Sequence, residues 1–97
     1  MVKDEIYKLL KKIPEGKITT YGAIAKKLNS KAFRAVGKIV GQNRDIPAVP
    51  CHRVVCADGK IGGYAFGVDK KIALLKLEGV EVKADKIIDF KNKFFEF

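Results

Sequence analysis

The sequence predicts a mainly α fold: a winged-helix-like helix-turn-helix domain with a small β-hairpin. Three observations favour this class. Apolar residues recur at helical spacing in four segments, the second and third of these are short and close together, and strand signals are few and brief. With 97 residues, 47% hydrophobic and 32% charged, the chain suits one globular domain and is too apolar for disorder. We therefore expect residues 1–97 to form a single domain.

The first two predicted helices are separated by a stop signal. Residues 3–13 place four apolar side chains on one helical face, with lysines opposite: Ile6, Leu9, Leu10 and Ile13. Residues 14–17 contain a proline and a glycine, which end that helix. Thr19 or Thr20 can then cap a second helix over residues 21–28. Its inward residues are Ile24, Ala25 and Leu28.

The third predicted helix, residues 31–42 with Ser30 as its cap, has an unusual composition. Its inward stripe is Phe33, Val36, Ile39 and Val40. Arg34 and Lys38 are four residues apart and therefore share another face. Two small residues stand between them, Ala35 and Gly37. A small, basic face can lie close against a groove. The alternative is that Gly37 only lets another helix pack closely.

An ordered loop and a small hairpin are predicted in the middle of the chain. Residues 43–50 contain Pro47 and Pro50, which remove hydrogen-bond donors and disfavour helix before them. The hairpin is predicted over residues 54–61, with a strand at its start, a turn at 57–60 and a return at its end.

The last predicted helix covers residues 70–77, after a flexible loop at 62–67. Asp69 is its predicted cap, and Gly79 ends it. Its inward residues are Ile72, Leu74 and Leu75. The final eighteen residues mix Ile, Val and Phe with Lys and indicate no clear element.

The formal net charge is +9, and most of it lies in the middle third of the chain. Residues 26–53 hold seven basic side chains against Asp45 alone. Such a block favours a polyanionic partner, nucleic acid first and an acidic membrane surface second; the alternative is a solvated lysine-rich face. No apolar run approaches a membrane span, and the acidic start at residues 1–5 is untypical of a signal peptide. We expect a cytoplasmic protein with no targeting signal.

The chain has two cysteines and one histidine, too few for a disulfide scaffold or for the four ligands of a structural zinc site. Cys51 and His52 are neighbours, and adjacent residues do not easily bind one tetrahedral metal ion. We expect free thiols in a reducing compartment, no metal and no cofactor.

Cys51 and His52 are also candidates for catalysis. A thiol with an ordinary pKa of about 8.5 is mostly protonated at pH 7, so an imidazole that accepts the proton raises its reactivity. A carboxylate can orient that imidazole. Glu78, at the end of the last helix, is poorly placed for the helix dipole and is expected to have a partner. The alternative is that Cys51 is a small buried residue and Glu78 lies on the surface.

The sequence Pro50-Cys51-His52-Arg53-Val54-Val55 resembles the active-site motif of the O6-alkylguanine-DNA alkyltransferases. The similarity covers roughly residues 3–80, in order and with matching spacing. Its further matches are Thr20-Tyr21-Gly22, Arg34-Ala35-Val36-Gly37, Asn43, Gly59, Gly62, Tyr64 and Leu74-Leu75-Lys76-Leu77-Glu78-Gly79.

The resemblance implies a repair mechanism that consumes the protein. Cys51 would attack the alkyl carbon on guanine O6 and keep it as a thioether. His52 would accept the thiol proton through a water, and Glu78 would orient His52. Tyr21 would donate a proton toward guanine N3, and Asn43 would tie the helix-turn-helix to the active-site loop. Because a thioether has no good leaving group, one protein would repair one lesion.

The resemblance also implies double-stranded DNA bearing O6-alkylguanine as the partner of a monomeric protein. Arg34 would replace the flipped base while the third helix enters the narrow minor groove. The other expected DNA-binding residues are Ala35, Gly37, Lys38 and Tyr21. Main-chain groups near Cys51 would read the guanine. The expected substrate-binding residues are Val54, Tyr64, Ala65 and Phe66.

The sequence departs from the usual family pattern in four respects. The family's amino-terminal domain is expected to be absent, and the spacing from Pro47 to Pro50 is shorter than is common. Ala65 replaces a common serine. Phe66 replaces glycine, so we expect methyl groups to be transferred well and benzyl groups poorly.

Three functions are compatible with these features of the sequence. They are a stoichiometric alkyltransferase, a lesion-binding module that does not react, and a plain helix-turn-helix regulator. Relatives of the second kind usually replace the cysteine, so Cys51 favours chemistry. A regulator would need neither the Pro-Cys-His motif nor Glu78.

Overall fold

The computed structural model describes residues 3–46 and 48–97; residues 1–2, at the start of the acidic segment, and Pro47 lie outside the described part. Within it the chain forms five α-helices and four two-residue strands. In chain order these are α1 (Lys3–Lys12), β1 (Thr19–Thr20), α2 (Tyr21–Lys27), α3 (Phe33–Gly41), β2 (Val54–Val55), α4 (Val68–Leu77), β3 (Val82–Lys83), β4 (Lys86–Ile87) and α5 (Phe90–Lys93). The predicted mainly α class with a small sheet is confirmed.

Helix α1 buries the face that its apolar spacing predicts. Ile6 and Leu10 are fully buried, Leu9 nearly so, and Ile13 is buried just beyond the last turn. Acidic residues lie in the first turn and lysines in the last, as the helix dipole favours. This face packs with residues of α2, α3 and the Cys51 segment in the larger of two core clusters.

Helices α2 and α3 are joined by residues 28–32. Thr20 caps α2, because its Oγ1 accepts a hydrogen bond from the amide of Ala23 at 3.0 Å. The predicted cap of α3 is wrong. The Ser30 hydroxyl accepts from the amide of Ala32 at 3.0 Å, so Ser30 closes a local turn and the helix begins only at Phe33.

Phe33 does not belong to the inward stripe of α3. Its side chain is 51% exposed, whereas Val36 and Val40 are buried. The late start of the helix places Phe33 in the first turn, on the outer side.

The predicted hairpin over residues 54–61 is wrong. Val54–Val55 pairs in parallel with Thr19–Thr20 of β1 instead. A turn does form at 57–60, where the amide of Cys56 donates to Lys60 O at 2.8 Å, but the Ile61 amide then donates to Asp85 O at 2.9 Å. The return strand is lost because the carboxy-terminal segment takes this hydrogen bond.

The hairpin of this fold is formed by β3 and β4, in the segment to which the sequence assigned no element. Val82 pairs with Ile87, and Lys83 with Lys86. Ala84 and Asp85 both have positive φ, 50° and 62°, which a two-residue turn between twisted strands requires.

The carboxy-terminal tail extends the sheet at β1. Ile18 forms a parallel bridge with Phe94; its amide donates to Lys93 O at 2.9 Å, and its carbonyl accepts from the Phe95 amide at 2.7 Å. Phe94 packs on the smaller core cluster, and Phe95 and Phe97 pack on the larger one. The tail is therefore part of the core.

Helix α4 begins earlier than expected, at Val68 after Gly67. The predicted cap, Asp69, lies inside the first turn and makes no capping hydrogen bond. At the other end the Gly79 amide donates to Lys76 O and the Val80 amide to Leu75 O. With φ of +83° at Gly79, this is a Schellman motif, which ends the helix where the sequence predicts.

The inward face of α4 is only partly the predicted one. Leu75 is fully buried, whereas Ile72 and Leu74 are half-buried. The other fully buried position is Lys71.

Candidate active site

Cys51 lies at the wall of a small pocket. Cys51 is the first residue of a single 3-10 turn, Cys51–Arg53, which directly follows Pro50. The Cys51 side chain is buried. The Sγ donates a weak hydrogen bond to the Tyr64 hydroxyl over 3.7 Å. The pocket has a volume of about 230 Å³. Its lining residues are Tyr21, Gly37, Val40, Gly41, Cys51, Gly63, Tyr64 and Ala65.

The structure brings His52 and Glu78 together. His52 Nε2 and Glu78 Oε2 are 3.0 Å apart. An ionised carboxylate can only accept a hydrogen bond, so Nε2 carries the proton and Nδ1 holds a lone pair. Nδ1 is buried and has no hydrogen-bond partner among the described residues. The imidazole is therefore held in the tautomer that can accept a proton at Nδ1.

The surroundings of His52 and Glu78 lower the pKa of both groups. Burial lowers the pKa of His52, and this outweighs the opposing effect of the Glu78 carboxylate. Burial alone would raise the pKa of Glu78, but the hydrogen bonds from Arg53 and His52 reverse the direction and lower it. At neutral pH the site thus contains a neutral imidazole beside an ionised carboxylate.

Arg53 is a site residue to which the sequence gave no role. Its Nε donates to Glu78 Oε1 at 2.9 Å, and its Nη2 donates to Oε2 at 2.5 Å. Its Nη1 donates to the carbonyl of Ile13, just after α1, at 2.7 Å. Its place directly after His52 was the only signal in the sequence. The two-point contact requires α4 to end opposite Arg53, which local spacing does not show.

Asn43 connects the end of α3 to the segment before Cys51. Its buried Nδ2 donates to Val49 O at 2.8 Å, and its Oδ1 accepts from the amide of Asp45 at 3.1 Å. The Cys51 amide also donates to Val49 O, at 2.8 Å. The side chain thus holds a chain segment whose prolines leave it few hydrogen-bond donors of its own.

Tyr21 presents a phenol that stays protonated. Burial, followed by nearby Cys56 and Cys51, raises the pKa of Tyr21 to about 12. Gly62 approaches the same hydroxyl: its φ is +71°, and a β-carbon there would lie 3.1 Å from Cys56 Sγ and 3.8 Å from Tyr21 Oη. Glycine is needed at this position for both its conformation and the close approach.

The pocket loop, residues 61–67, carries most of the predicted substrate-binding residues. Tyr64 is half-buried, and burial and its contact with Cys51 raise the pKa of its phenol. Ala65 lines the pocket. Phe66 is 39% exposed, with its ring centroid 5.7 Å from that of Tyr64. The guanidinium of Arg44 lies 5.7 Å from the Phe66 ring, a cation–π contact between the segment after α3 and the pocket loop. Val54, the remaining predicted residue, is fully buried in the larger core cluster.

The outer face of α3 is basic, as its sequence predicts. Arg34, Ala35 and Lys38 are exposed, and Arg34 lies over the Phe33 ring at 5.9 Å. Gly37 instead faces Tyr21 and lines the pocket: a β-carbon there would be 3.6 Å from Tyr21 Cδ1, an ordinary contact distance. Tyr21 is therefore the neighbour of Gly37 within the described part of the chain.

Lys71 is a second residue that the sequence analysis missed. It lies four positions before Leu75 and therefore on the inward face of α4, which was the available signal. Its ammonium bonds three carbonyls beside the pocket.

Residues 3–46 and 48–97 show neither a metal-binding cluster nor a membrane-spanning helix. This described part contains no group of three or more His, Cys, Asp or Glu side chains arranged to bind a metal ion. None of its helices is both long and apolar enough to span a membrane.

Two curated relatives share much of this sequence. A methylated-DNA–protein-cysteine methyltransferase of Methanosarcina acetivorans is 53% identical over 75 residues, 76% of this chain and 48% of its own. A bifunctional methyltransferase/endonuclease of Picrophilus torridus is 41% identical over 93 residues, 95% of this chain and 31% of its own. The chain thus spans half or less of the length of these relatives.

Two solved structures of DNA complexes are similar to this chain in fold. Mycobacterium tuberculosis OGT in complex with DNA superimposes with a TM-score of 0.76 at 42% identity, covering 79% of this chain and 48% of the other. S. pombe Atl1, in complex with damaged DNA containing O6-carboxymethylguanine, has a TM-score of 0.86 at 25% identity, covering 98% and 94%.

The family model for the DNA-binding domain of 6-O-methylguanine DNA methyltransferase matches residues 1–80. This match includes the Cys51 motif, Asn43 and Glu78, and it confirms the family that the sequence motifs indicate. The chain therefore belongs to the 6-O-methylguanine DNA methyltransferase family.

Proposed function

We propose that this protein repairs O6-alkylguanine in double-stranded DNA by transferring the alkyl group irreversibly to its own Cys51. The observation that supports this most directly is the position of Cys51 Sγ at the pocket wall, with the next residue, His52, held by Glu78 in the tautomer whose free Nδ1 can accept a proton. The family match and the DNA complexes of OGT and Atl1 support the same reaction and partner.

The reaction exchanges one bond for another. The Cys51 thiol gives its proton to His52 Nδ1 through one water, while Glu78 stabilises the imidazolium that forms. The Sγ–carbon bond forms as the carbon–O6 bond breaks, and the electron pair moves into the guanine ring. Tyr21 donates a proton to that ring, and the proton that His52 took from the thiol returns to Tyr21 through solvent. The net result is a thioether and a neutral, unmodified guanine.

The proposed transfer happens once for each protein molecule. To free Cys51, water or His52 would have to attack the alkyl carbon and displace the thiolate of Cys51. A thiolate is too poor a leaving group for this step under mild conditions. The protein is therefore a reagent for a single lesion, and no cofactor takes part in the step as proposed.

The outer face of α3 is the proposed DNA contact. Arg34 and Lys38 are exposed there, within the segment that holds seven basic side chains against one acidic. Phosphate contacts of this kind give a weakly sequence-dependent, salt-sensitive affinity. Because the lesion lies inside the duplex, Arg34 is proposed to fill the gap that the flipped nucleotide leaves.

We also propose that residues 1–97 act as one domain and as a monomer, in the cytoplasm and associated with DNA. Both core clusters contain residues from the first third and the last third of the described chain, which supports a single folding unit. The two free cysteines suit a reducing compartment.

A lesion-binding protein that does not react is the second candidate. The observation in its favour is that the match with Atl1 covers 98% of this chain and 94% of Atl1, whereas the match with OGT covers only 48% of OGT. The presence of the Cys51 thiol at the pocket, together with the His52–Glu78 hydrogen bond, favours the transfer reaction over binding alone.

Intact-protein mass spectrometry distinguishes these functions. After incubation with a duplex that contains O6-methylguanine, we expect a gain of one methylene unit, located on the Cys51 peptide. The Cys51→Ala variant should bind the duplex without gaining mass, whereas Cys56→Ala, the matched thiol control, should gain it. Tight lesion binding with unchanged mass would favour the second candidate. Absence of any lesion preference would favour a plain regulator.

A further inference from the structure

Lys71 is a fully buried lysine without a carboxylate partner. Its Nζ donates to Val54 O at 2.8 Å, to Gly63 O at 3.2 Å and to the carbonyl of Ile61. No Asp or Glu oxygen of the described residues lies within ion-pair distance of this ammonium. Among the described residues, its hydrogen bonds all go to these three carbonyl groups.

Burying this charge has a measurable cost. Burial lowers the pKa of Lys71 to about 8, although Cys56 and Cys51 nearby act in the opposite direction. An apolar side chain of similar volume at a buried site is often as stable or more so. A role beyond filling the core therefore accounts better for a lysine at this position.

The three carbonyls belong to the two segments that form the pocket. Val54 begins β2 and follows Cys51 by three residues, whereas Ile61 and Gly63 start the pocket loop. Gly63 lines the pocket, and the next residue, Tyr64, accepts the hydrogen bond of Cys51 Sγ. One ammonium thus fastens the segment that carries the thiol to the loop that faces it.

We infer that Lys71 is a positioning residue for alkyl transfer: its three hydrogen bonds fix the pocket loop relative to Cys51. The inference rests on the proposed function. Without these bonds the loop would leave its position opposite Sγ, and the flipped guanine would be misaligned. A small displacement of a reacting group can lower a rate about a hundredfold.

The test compares Lys71→Met with Lys70→Met. Lys70 is the exposed neighbour on the same helix, so it provides the matched control. Three quantities are measured: methyl transfer at saturating lesion duplex, affinity for undamaged duplex, and the rate at which iodoacetamide alkylates Cys51. For Lys71→Met we expect transfer at least tenfold slower, undamaged-DNA affinity within twofold, and alkylation within threefold of wild type. Lys70→Met should match wild type in all three.

The result that overturns the inference is a folded Lys71→Met protein that transfers methyl at the wild-type rate. If Lys71→Met does not fold, Lys71→Gln replaces it, because its side-chain amide keeps one donor nitrogen with a shorter reach. We expect its transfer rate to lie between that expected for Lys71→Met and that of the wild type. A folded glutamine variant with the wild-type transfer rate would overturn it equally. Failure of the proposed function is separate, because the wild-type protein would then gain no methylene unit.

Discussion

Arg53 binds both carboxylate oxygens of Glu78, one of which also accepts the hydrogen bond of His52. The same guanidinium reaches the Ile13 carbonyl at the end of α1. The carboxylate is thus held from two directions and cannot rotate away from the imidazole. In the proposed reaction, Arg53 positions Glu78, and Glu78 positions His52.

We expect Arg53→Lys to slow methyl transfer about tenfold, because lysine keeps the charge but cannot form the two-point contact. Removal of the nearby guanidinium charge in Arg53→Met should also raise the pKa of His52, which NMR titration of its ring can follow. Lys70→Met, which removes an exposed positive charge from α4, is the charge control, and it should change neither methyl transfer nor the His52 titration. Transfer by Arg53→Lys at the wild-type rate would contradict the positioning role.

We expect His52 to make stability pH-dependent below neutrality. Its pKa is lowered in the folded state, so the unfolded chain binds the proton first as pH falls below about 6.5, and the folded state loses up to about 1.4 kcal/mol per pH unit. Urea unfolding of wild type and His52→Gln between pH 8 and 5 measures this. Below pH 6.5 the free energy of unfolding should fall more for the wild type than for His52→Gln. Above pH 7 the difference between the two proteins should be constant. Parallel curves throughout would contradict the lowered pKa.

We expect Phe66 to limit the size of the transferred group. Its ring packs against Tyr64, and it directly follows Ala65; both of these residues line the pocket. Phe66→Gly should raise the benzyl-to-methyl rate ratio about tenfold or more, measured with matched duplexes. The exposed Leu77, replaced by alanine, is the control for a surface apolar change. Equal benzyl and methyl rates in the wild type would refute this role.

Arg34→Ala should weaken repair in duplex DNA more than in single strands. Flipping a base from a duplex costs a few kcal/mol, whereas a single strand presents the base without this cost. Single-turnover assays on both substrates should give a duplex-specific loss of about tenfold. Lys27→Ala, which removes an exposed charge on α2, serves as a comparison for charge alone. An equal loss on both substrates would argue against insertion of Arg34 into the duplex.

The tail phenylalanines should contribute to stability. Phe95 is half-buried against the larger core cluster and donates its amide to Ile18 O. Phe95→Ala should lower the free energy of unfolding by about 2 kcal/mol, less than the roughly 3–5 kcal/mol for a fully buried phenylalanine. Phe33→Ala, at an exposed site, should change it by no more than about 0.5 kcal/mol. Denaturant unfolding measures both, and equal effects would contradict a core role for the tail.

The sequence predicted the elements whose signals are local. The apolar face of α1, the Thr20 cap and the Gly79 stop each depend on residues within one or two helical turns. The motif around Cys51 likewise stands in one short segment.

Features that depend on distant segments were missed or misplaced. The β2 strand pairs with β1, more than thirty residues earlier, and the Ala84-Asp85 turn lacks the glycine that normally marks such hairpins. The carbonyls that accept from Lys71 come from residues 8 to 17 positions away. A periodic pattern shows that a residue faces inward, but it does not show which groups it meets there.

The parallel pairing of β1 with β2 has a consequence for how a damaged site is reached. β1 runs directly into α2, and β2 follows the Cys51 turn, so this short ladder fastens the sulfur and the helical pair to one frame. In the proposed complex with a duplex, this frame fixes the distance between Cys51 Sγ and the groove that α3 contacts. We therefore expect reaction only with a nucleotide that is flipped far enough out of the duplex to reach Sγ, whatever alkyl group it carries.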